Sequence, residues 1–393
     1  MISNYLSDLF VFYNLKKISF GYLEVVDSKN KKHFFGDSKS NLKAKLKINS
    51  PNFSFNLLKK GSSGLGESYM KNEFETDDLP SLIELSARNI NITYKFSGFF
   101  QFLSLSSFLN KKIFSNTKNR SKKNISYHYD LGNEFFSTFL DKTLTYSCGI
   151  FNSPNETLEK AQINKYNKLI NLVKPKHGDK ILEIGCGWGG FAEHIARNYN
   201  VKIDCITISK KQFLFTKERI RKSGLTDKVN VKMIDYRDVA SKYDIIVSIE
   251  MIEAVGEKYL NQYFDIIKKN LAQGGRGAIQ SIIIKDELYS GYRTREDFIQ
   301  KYIFPGGFLP SLESLNQLSE NSGLKIENYE MYGNHYSNTL QKWREKFLNS
   351  WDAISRQGFD ASFKKMWDFY FSYCDAGFKS KNINVVQFSL CNK

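Results

Sequence analysis

The chain has 393 residues, 41% hydrophobic and 25% charged, which excludes fibrous and disordered classes and leaves room for two globular domains. Its net charge of +16 implies an anionic partner, whether nucleic acid, an acidic ligand or a membrane surface. No apolar run reaches the ~18 residues that span a bilayer. The nearest, 96–109, is broken by Ser and Gln and reads as a surface-lying or a buried helix.

In chain order, residues 1–110 alternate strand-like segments (43–48 and 53–58) with turn signals, followed by a helical stretch at 79–87. This is a smaller α+β N-terminal domain, expected to associate with lipid or membrane. Residues 1–123 carry a charge of +10, and 111–123 hold six bases and no acid. That segment reads either as a solvated linker or as a contact for anionic headgroups. From 124 to 393 the pattern becomes alternating strands and helices, as in a doubly wound α/β domain. Strands are predicted at 180–184, 201–206, 229–234, 245–249 and 277–284. Helices are predicted at 190–200, 210–223 and 259–270, the last with Leu260, Tyr263, Phe264 and Ile267 on one face.

The first of these strands runs into Leu182-Glu183-Ile184-Gly185-Cys186-Gly187-Trp188-Gly189-Gly190. Gly185, Gly187 and Gly189 allow a tight turn and close approach of a ligand to a helix N-terminus. Dinucleotide enzymes use a similar turn, but two details favour S-adenosylmethionine. Glu183 can meet the cationic methionine end, and the spacing is Gly-x-Gly-x-Gly rather than Gly-x-Gly-x-x-Gly. The second strand ends without a ribose-binding acid, so Thr207 and Gln212 are assigned to the ribose and methionine parts. Asp235, Tyr236 and Arg237 follow the third strand; Asp235 and Tyr236 are placed to meet the adenine. The alternative is that Asp235 or Asp238 caps the next helix.

Taken together, these motifs resemble the cyclopropane-fatty-acyl-phospholipid synthases and their relatives that modify mycolic acids. The resemblance covers Tyr127-His128-Tyr129-Asp130-Leu131-Gly132-Asn133, Tyr146-Ser147-Cys148, the glycine turn, Thr207-Ile208-Ser209 with Gln212, and Asp235-Tyr236-Arg237-Asp238. It continues in Lys301-Tyr302-Ile303-Phe304-Pro305-Gly306-Gly307 and Tyr373-Cys374-Asp375-Ala376-Gly377-Phe378, with Gly64-Leu65-Gly66-Glu67-Ser68-Tyr69-Met70 as an N-terminal signature.

The resemblance implies a Rossmann-like methyltransferase fold and transfer of a one-carbon unit from S-adenosylmethionine to the cis double bond of an unsaturated phospholipid acyl chain. A cyclopropane is the expected product, and a methyl-branched or methylene chain is the alternative. It places Tyr146 and Ser147 at the cofactor and implies a bound bicarbonate as general base, held by Cys148, Glu253, the Ile282 backbone and Tyr336. His128 is read as holding a loop over the cofactor, and Phe304, Pro305 and Phe308 as walls of an acyl pocket. Cys374 occupies the place of a cysteine once thought nucleophilic, but burial as a small apolar residue is the reading preferred for it; for Cys148 such burial is the alternative to its role at the site.

Such chemistry needs a dry pocket for a feeble alkene nucleophile, aromatic faces for the resulting cation, and a base to remove a proton. Two residues depart from the family pattern. Ala254 stands where a His often follows the glutamate, and Gln280 stands where a His contacts bicarbonate. Gln280 can orient an anion but supplies no charge.

Five cysteines without a CxxC pair, and no signal peptide, point to a cytoplasmic protein with reduced thiols. It is expected to be peripheral on the inner face of the cytoplasmic membrane, with a homodimer as one candidate assembly. No His/Cys/Asp grouping has metal-ligand spacing, so no metal is expected. A nucleic-acid methyltransferase is disfavoured because no RNA-binding module is recognisable. A non-catalytic lipid- or cofactor-binding protein is the remaining rival.

Overall fold

The computed structural model describes residues 2–92, 116–118, 120, 121, 124, 125 and 131–393. The segment 96–109, Lys111, Lys112, Lys122, Lys123 and His128 lie outside them. The chain divides into two compact units whose segments interleave. The first contains Met1–Ile113, Gly291–Ile303 and Trp343–Asn382; the second contains Phe114–Ser290, Phe304–Lys342 and Ile383–Lys393. The stretch 124–393, read from sequence as one domain, is therefore shared between both.

In the first unit, β1 (Tyr22–Val26), β2 (Lys32–Gly36), β3 (Lys43–Ile48) and β4 (Phe74–Glu75) form a sheet in the order β2-β1-β3-β4. Strand β3 shows how sequence sets a face. Its lysines point to solvent while Ala44, Leu46 and Ile48 are buried, as the two-residue period of a strand requires. They join Leu23, Val25, Phe35, Phe53, Phe74, Leu82 and Leu85 in one core.

The segment 53–58, expected as a strand, is a helix, Phe53–Lys60. Its Phe-x-Phe-x-Leu alternation suggested a strand, but the buried positions are Phe53, Ser54 and Leu58, a helical spacing. Phe53 is anchored edge-on against Phe74. Tertiary packing here overrides the local pattern.

The Gly64–Met70 signature lies on the helix Ser62–Met70. Its Glu67 accepts from Lys301 Nζ at 2.6 Å, and Tyr69 donates to Asp368, which also accepts from Arg344. These bonds tie 291–303 and 343–382 to the N-terminal segment. Gly66 lies under aromatic rings: a Cβ there would come within 2.4 Å of Phe298 and 3.1 Å of Phe369.

The second unit is a seven-stranded sheet: β5 (Lys180–Ile184), β6 (Lys202–Ile206), β7 (Val229–Lys232), β8 (Tyr243–Ile249), β9 (Leu271–Ile284), β10 (Leu324–Met331) and β11 (Ile383–Asn392), in the order β10-β11-β9-β8-β5-β6-β7. The five strands β5 to β9 pair in parallel, in the order β9-β8-β5-β6-β7, while β11 runs antiparallel to both β9 and β10. The five parallel strands were predicted; β10 and β11 were not. Most of β10 is exposed, so its apolar signal is weak. In β11, Gln387 and Ser389 are buried, so polarity does not mark its outer face.

The helices Leu158–Val173 and Gly190–Asn198 pack Tyr166, Leu169, Phe191 and Ile195 into the core beneath the sheet. On Leu260–Asn270, the four residues predicted to share a face are buried. The chain leaves β5 toward β6 and β7, then returns to β8 on its other side. Such a reversal opens a crevice at the carboxyl ends of β5 and β8.

Gly66→Ala should destabilise the first unit by about 1–3 kcal/mol through overpacking, with partial recovery in a Gly66→Ala/Phe298→Leu double variant. Urea denaturation checks it.

Candidate active site

The glycine turn leaves β5 at the crevice. Gly187 adopts φ +52, and a Cβ there would meet no atom of the described residues within 4 Å. At Gly185 the added carbon would instead lie 2.7 Å from Met251 Cγ, and at Gly189 2.5 Å from Thr216 Cγ2. Gly187 is thus the position whose bareness lets a ligand reach the backbone, whereas the other two accommodate protein neighbours.

Glu183, the penultimate residue of β5, is buried, and its Oε2 has no hydrogen-bond partner among the described residues. Burial pushes its carboxyl up to about 8, moderated by the Lys165 ammonium. An unsatisfied acidic oxygen beside an open glycine turn fits a cofactor with a cationic end. Across β6, Thr207 Oγ1 donates to Gln212 Oε1 at 2.9 Å, and the Ser209 hydroxyl caps the following helix by accepting from Gln212 N. This pins Gln212 against the sheet end.

Asp235 is committed locally. Its two oxygens accept from Arg237 Nε at 2.7 Å and Arg237 Nη2 at 2.6 Å, and it caps a short 3-10 turn through Arg237 N. The capping alternative is therefore what the geometry displays. Arg237 stacks over Tyr236 and Tyr259 and donates to the Asn116 carbonyl.

Tyr146 packs its ring against Phe136, Phe139 and Phe304, with centroids 5.4, 6.2 and 6.3 Å away. Ser147 Oγ accepts from Lys165 Nζ at 2.6 Å. Cys148 is fully buried, which pushes its thiol well up, with the Glu250 carboxylate adding to the shift. It stays a thiol and donates to the Gly149 carbonyl at 3.3 Å. Cys374 is in the first unit, where burial and the carboxyls of Asp297 and Asp375 push its thiol up. That environment disfavours a nucleophilic thiolate.

The residues assigned to bicarbonate divide between two glutamates. Glu253 accepts from Ile282 N, and its other oxygen is buried without a partner among the described residues. Glu250 accepts from Tyr336 OH at 2.7 Å, Gln280 Nε2 at 2.7 Å and Cys148 N at 2.9 Å. The Gln280 amide is fixed from behind, because Gln387 Nε2 donates to its Oε1 at 2.8 Å. The expected anion donors are thus engaged by protein groups, and these residues do not fit an added bicarbonate in this arrangement.

Glu250 and Lys165 were not identified from sequence, although both carry a signal. Glu250 is an acid directly after an apolar strand at the ligand-binding edge of the sheet. Lys165 is a charge on the helix face shared with Ala161, Tyr166 and Leu169, all buried. Burial brings Lys165 down to about 8 against the opposing pull of Glu250, Cys148, Asp141 and Glu183. Burial, then the charge of Glu250, lift Glu253 to about 8. Among the described residues the buried acids Glu183, Glu250 and Glu253 thus outnumber the buried ammonium of Lys165, and a cationic ligand would be favoured as it draws these acids into their ionised forms.

A Rossmann-like sheet with an open glycine turn and a floor of buried acidic side chains is the arrangement of an S-adenosylmethionine-dependent methyltransferase. The model of the mycolic acid cyclopropane synthetase family matches residues 116–388. The chain is 34% identical to the tuberculostearic acid methyltransferase UfaA1 of Mycobacterium tuberculosis, covering 84% of this chain and 79% of that one. It is 33% identical to the cyclopropane-fatty-acyl-phospholipid synthase of Escherichia coli K12, covering 88% and 87%. Among solved structures, the mycolic acid cyclopropane synthase CmaA1 complexed with SAH and CTAB superposes with a TM-score of 0.65 at 26% identity, covering 69% of this chain and 98% of that one. The chain belongs to the mycolic acid cyclopropane synthetase family.

Glu183→Gln should weaken cofactor binding at least tenfold by calorimetry, yet stabilise the cofactor-free protein at high pH. Because the folded-state pKa is raised from 4.5 to about 8, wild type loses roughly 1.4 kcal/mol per pH unit across that window. The variant should match wild type near pH 4.5 and exceed it at pH 8 in thermal melts.

Proposed function

We propose that this enzyme transfers a one-carbon unit from S-adenosylmethionine to the cis double bond of an unsaturated phospholipid acyl chain, giving a cyclopropane. The observation that carries the reading is the cluster of buried acidic side chains, Glu183, Glu250 and Glu253, beside the glycine turn, which a cationic ligand would favour in their ionised forms. A methyl cation equivalent passing to an alkene keeps positive charge in the site throughout, and buried carboxylates favour each such state. The name and near full-length alignment of the Escherichia coli relative support a phospholipid substrate.

S-adenosylmethionine, when bound, supplies an electrophilic methyl group on a positively charged sulfur. Glu183 would hold its cationic end, and Thr207 with Gln212 would line its ribose side. The Tyr146, Phe136, Phe139 and Phe304 rings exclude water and offer aromatic faces to the acyl cation. A carboxylate then accepts a proton, and the released C–H pair closes the ring. A methyl-branched or methylene product by the same transfer is the second reading, favoured by the similarity to a tuberculostearic acid methyltransferase.

The reading includes peripheral attachment to the cytoplasmic face of the membrane. No helix among the described residues is long and apolar enough to cross a bilayer. The helix Ile2–Leu15 exposes Tyr5, Leu6, Leu9 and Tyr13, from 51% to 62% each, and Lys16 and Lys17 follow it. An exposed apolar face beside bases suits insertion among anionic headgroups.

Lipids from cells expressing the chain should gain one methylene unit by mass spectrometry, and fragmentation separates ring from branch. Unaltered lipids would refute the reading. Binding to acidic vesicles should fall steeply with salt and fall further in Leu6→Asp/Leu9→Asp; equal binding to neutral vesicles would refute the attachment.

A further inference from the structure

We infer that Glu250 is the general base of this reaction, a carboxylate built into the chain in place of an added bicarbonate. The inference rests on the proposed lipid methyl transfer and concerns where its proton goes.

Three donors from separate elements converge on this carboxylate. Tyr336 OH reaches one oxygen, while Gln280 Nε2 and Cys148 N reach the other. Three of the groups assigned to anion binding, Tyr336, Gln280 and Cys148, therefore already surround an anion, and it belongs to the protein. Gln280 is oriented for this role, because Gln387 occupies its carbonyl and leaves the N–H edge toward Glu250. A neutral amide suffices here: a covalently tethered carboxylate needs orientation and no extra cation to recruit it.

The backbone supports the same assignment. Glu250 has φ +49, a left-handed conformation uncommon for a residue with a side chain and costing on the order of 1–2 kcal/mol. Its N–H is held by the Gln280 carbonyl at 2.8 Å. Such a kink directly after β8 turns the carboxylate inward, while the next residue, Met251, packs where a Gly185 side chain would lie. Burial raises the Glu250 carboxyl, which strengthens it as a proton acceptor.

The step balances without another reagent. The alkene π pair forms the new C–C bond as the S–CH3 bond breaks, leaving S-adenosylhomocysteine and a carbocation. Glu250 takes a proton from the new methyl group, and that C–H pair closes the cyclopropane. Removal of the same proton with the pair forming a double bond gives the methylene product instead. The proton on Glu250 then leaves to solvent.

The test uses the full-length enzyme with unsaturated phospholipid vesicles in carbonate-depleted buffer. Wild-type turnover should be unchanged by millimolar bicarbonate. Glu250→Gln should lose ~100-fold or more of product formation while binding S-adenosylhomocysteine as wild type does. Glu250→Gly, which suits the positive φ, should be inactive alone and regain activity with added bicarbonate, a rescue that a merely structural role would not show. Bicarbonate dependence of wild type, Glu250→Gln within tenfold of wild type, or a folded Glu250→Gly that bicarbonate does not rescue would each overturn the assignment. Should Glu250→Gly fail to fold, the other two measurements decide. Wild type that adds no carbon to any unsaturated phospholipid refutes the lipid reading itself, and the base assignment falls with it.

Discussion

The burial of several carboxylates behind one glycine turn is the constraint around which the second unit is organised. Taking a carboxylate from water costs several kcal/mol unless hydrogen bonds or an opposite charge offset it. Here the offset comes from one ammonium, Lys165, and from neutral donors: Tyr336, Gln280, and the backbone N–H groups of Cys148 and Ile282. The offset is partial, since Glu183 and Glu253 are both held near 8 and each keeps an oxygen without a partner. A fold maximising stability would not keep such groups. One that must bind a sulfonium and stabilise an acyl cation gains from them, because each positive species supplies the missing partner.

That constraint explains why polar residues lie in places a core would normally give to apolar ones. Gln387 sits 1% exposed in the middle of β11, and Gln280 faces it from β9 at the same register position. Their pairing spends one amide on orienting the other, so the charge on Glu250 is met by a fixed dipole. Lys165 enters through a helix otherwise packed with Ala161, Tyr166 and Leu169. Ser147 Oγ accepts a hydrogen bond from its ammonium and links it to the chain segment carrying Tyr146 and Cys148. Substituting any one of these residues leaves its partner buried and unsatisfied, so their effects should be strongly non-additive.

In the first unit the organising contact differs. Glu67 is held at about 2 by the Lys301 and Lys60 ammoniums, and Gly66 admits the Phe298 ring. The Gly64–Met70 signature is, in physical terms, a helix made narrow at Gly66 and acidic at Glu67. It receives an aromatic ring and a lysine from a segment more than two hundred residues away.

The sequence by itself determined the parallel sheet, the glycine turn and the class of cofactor, because each depends on local regularities: apolar strand runs, helical periodicity, glycines at fixed spacing. It determined the alternation of β3 for the same reason. Tertiary structure decided what depends on chain segments meeting at a distance. Phe53–Lys60 is a helix because Phe74 and its neighbours offer a core there, β10 hides because it is an edge, and the interleaved units follow from 291–303 and 343–382 returning to the N-terminal helices. Above all, the family resemblance could mark Glu253 as a holder of the bicarbonate base but could not show that Tyr336, Gln280 and Cys148 all point at Glu250. Which of two carboxylates three residues apart receives those donors depends on a single left-handed backbone turn at Glu250, and no local pattern of residue types specifies that turn.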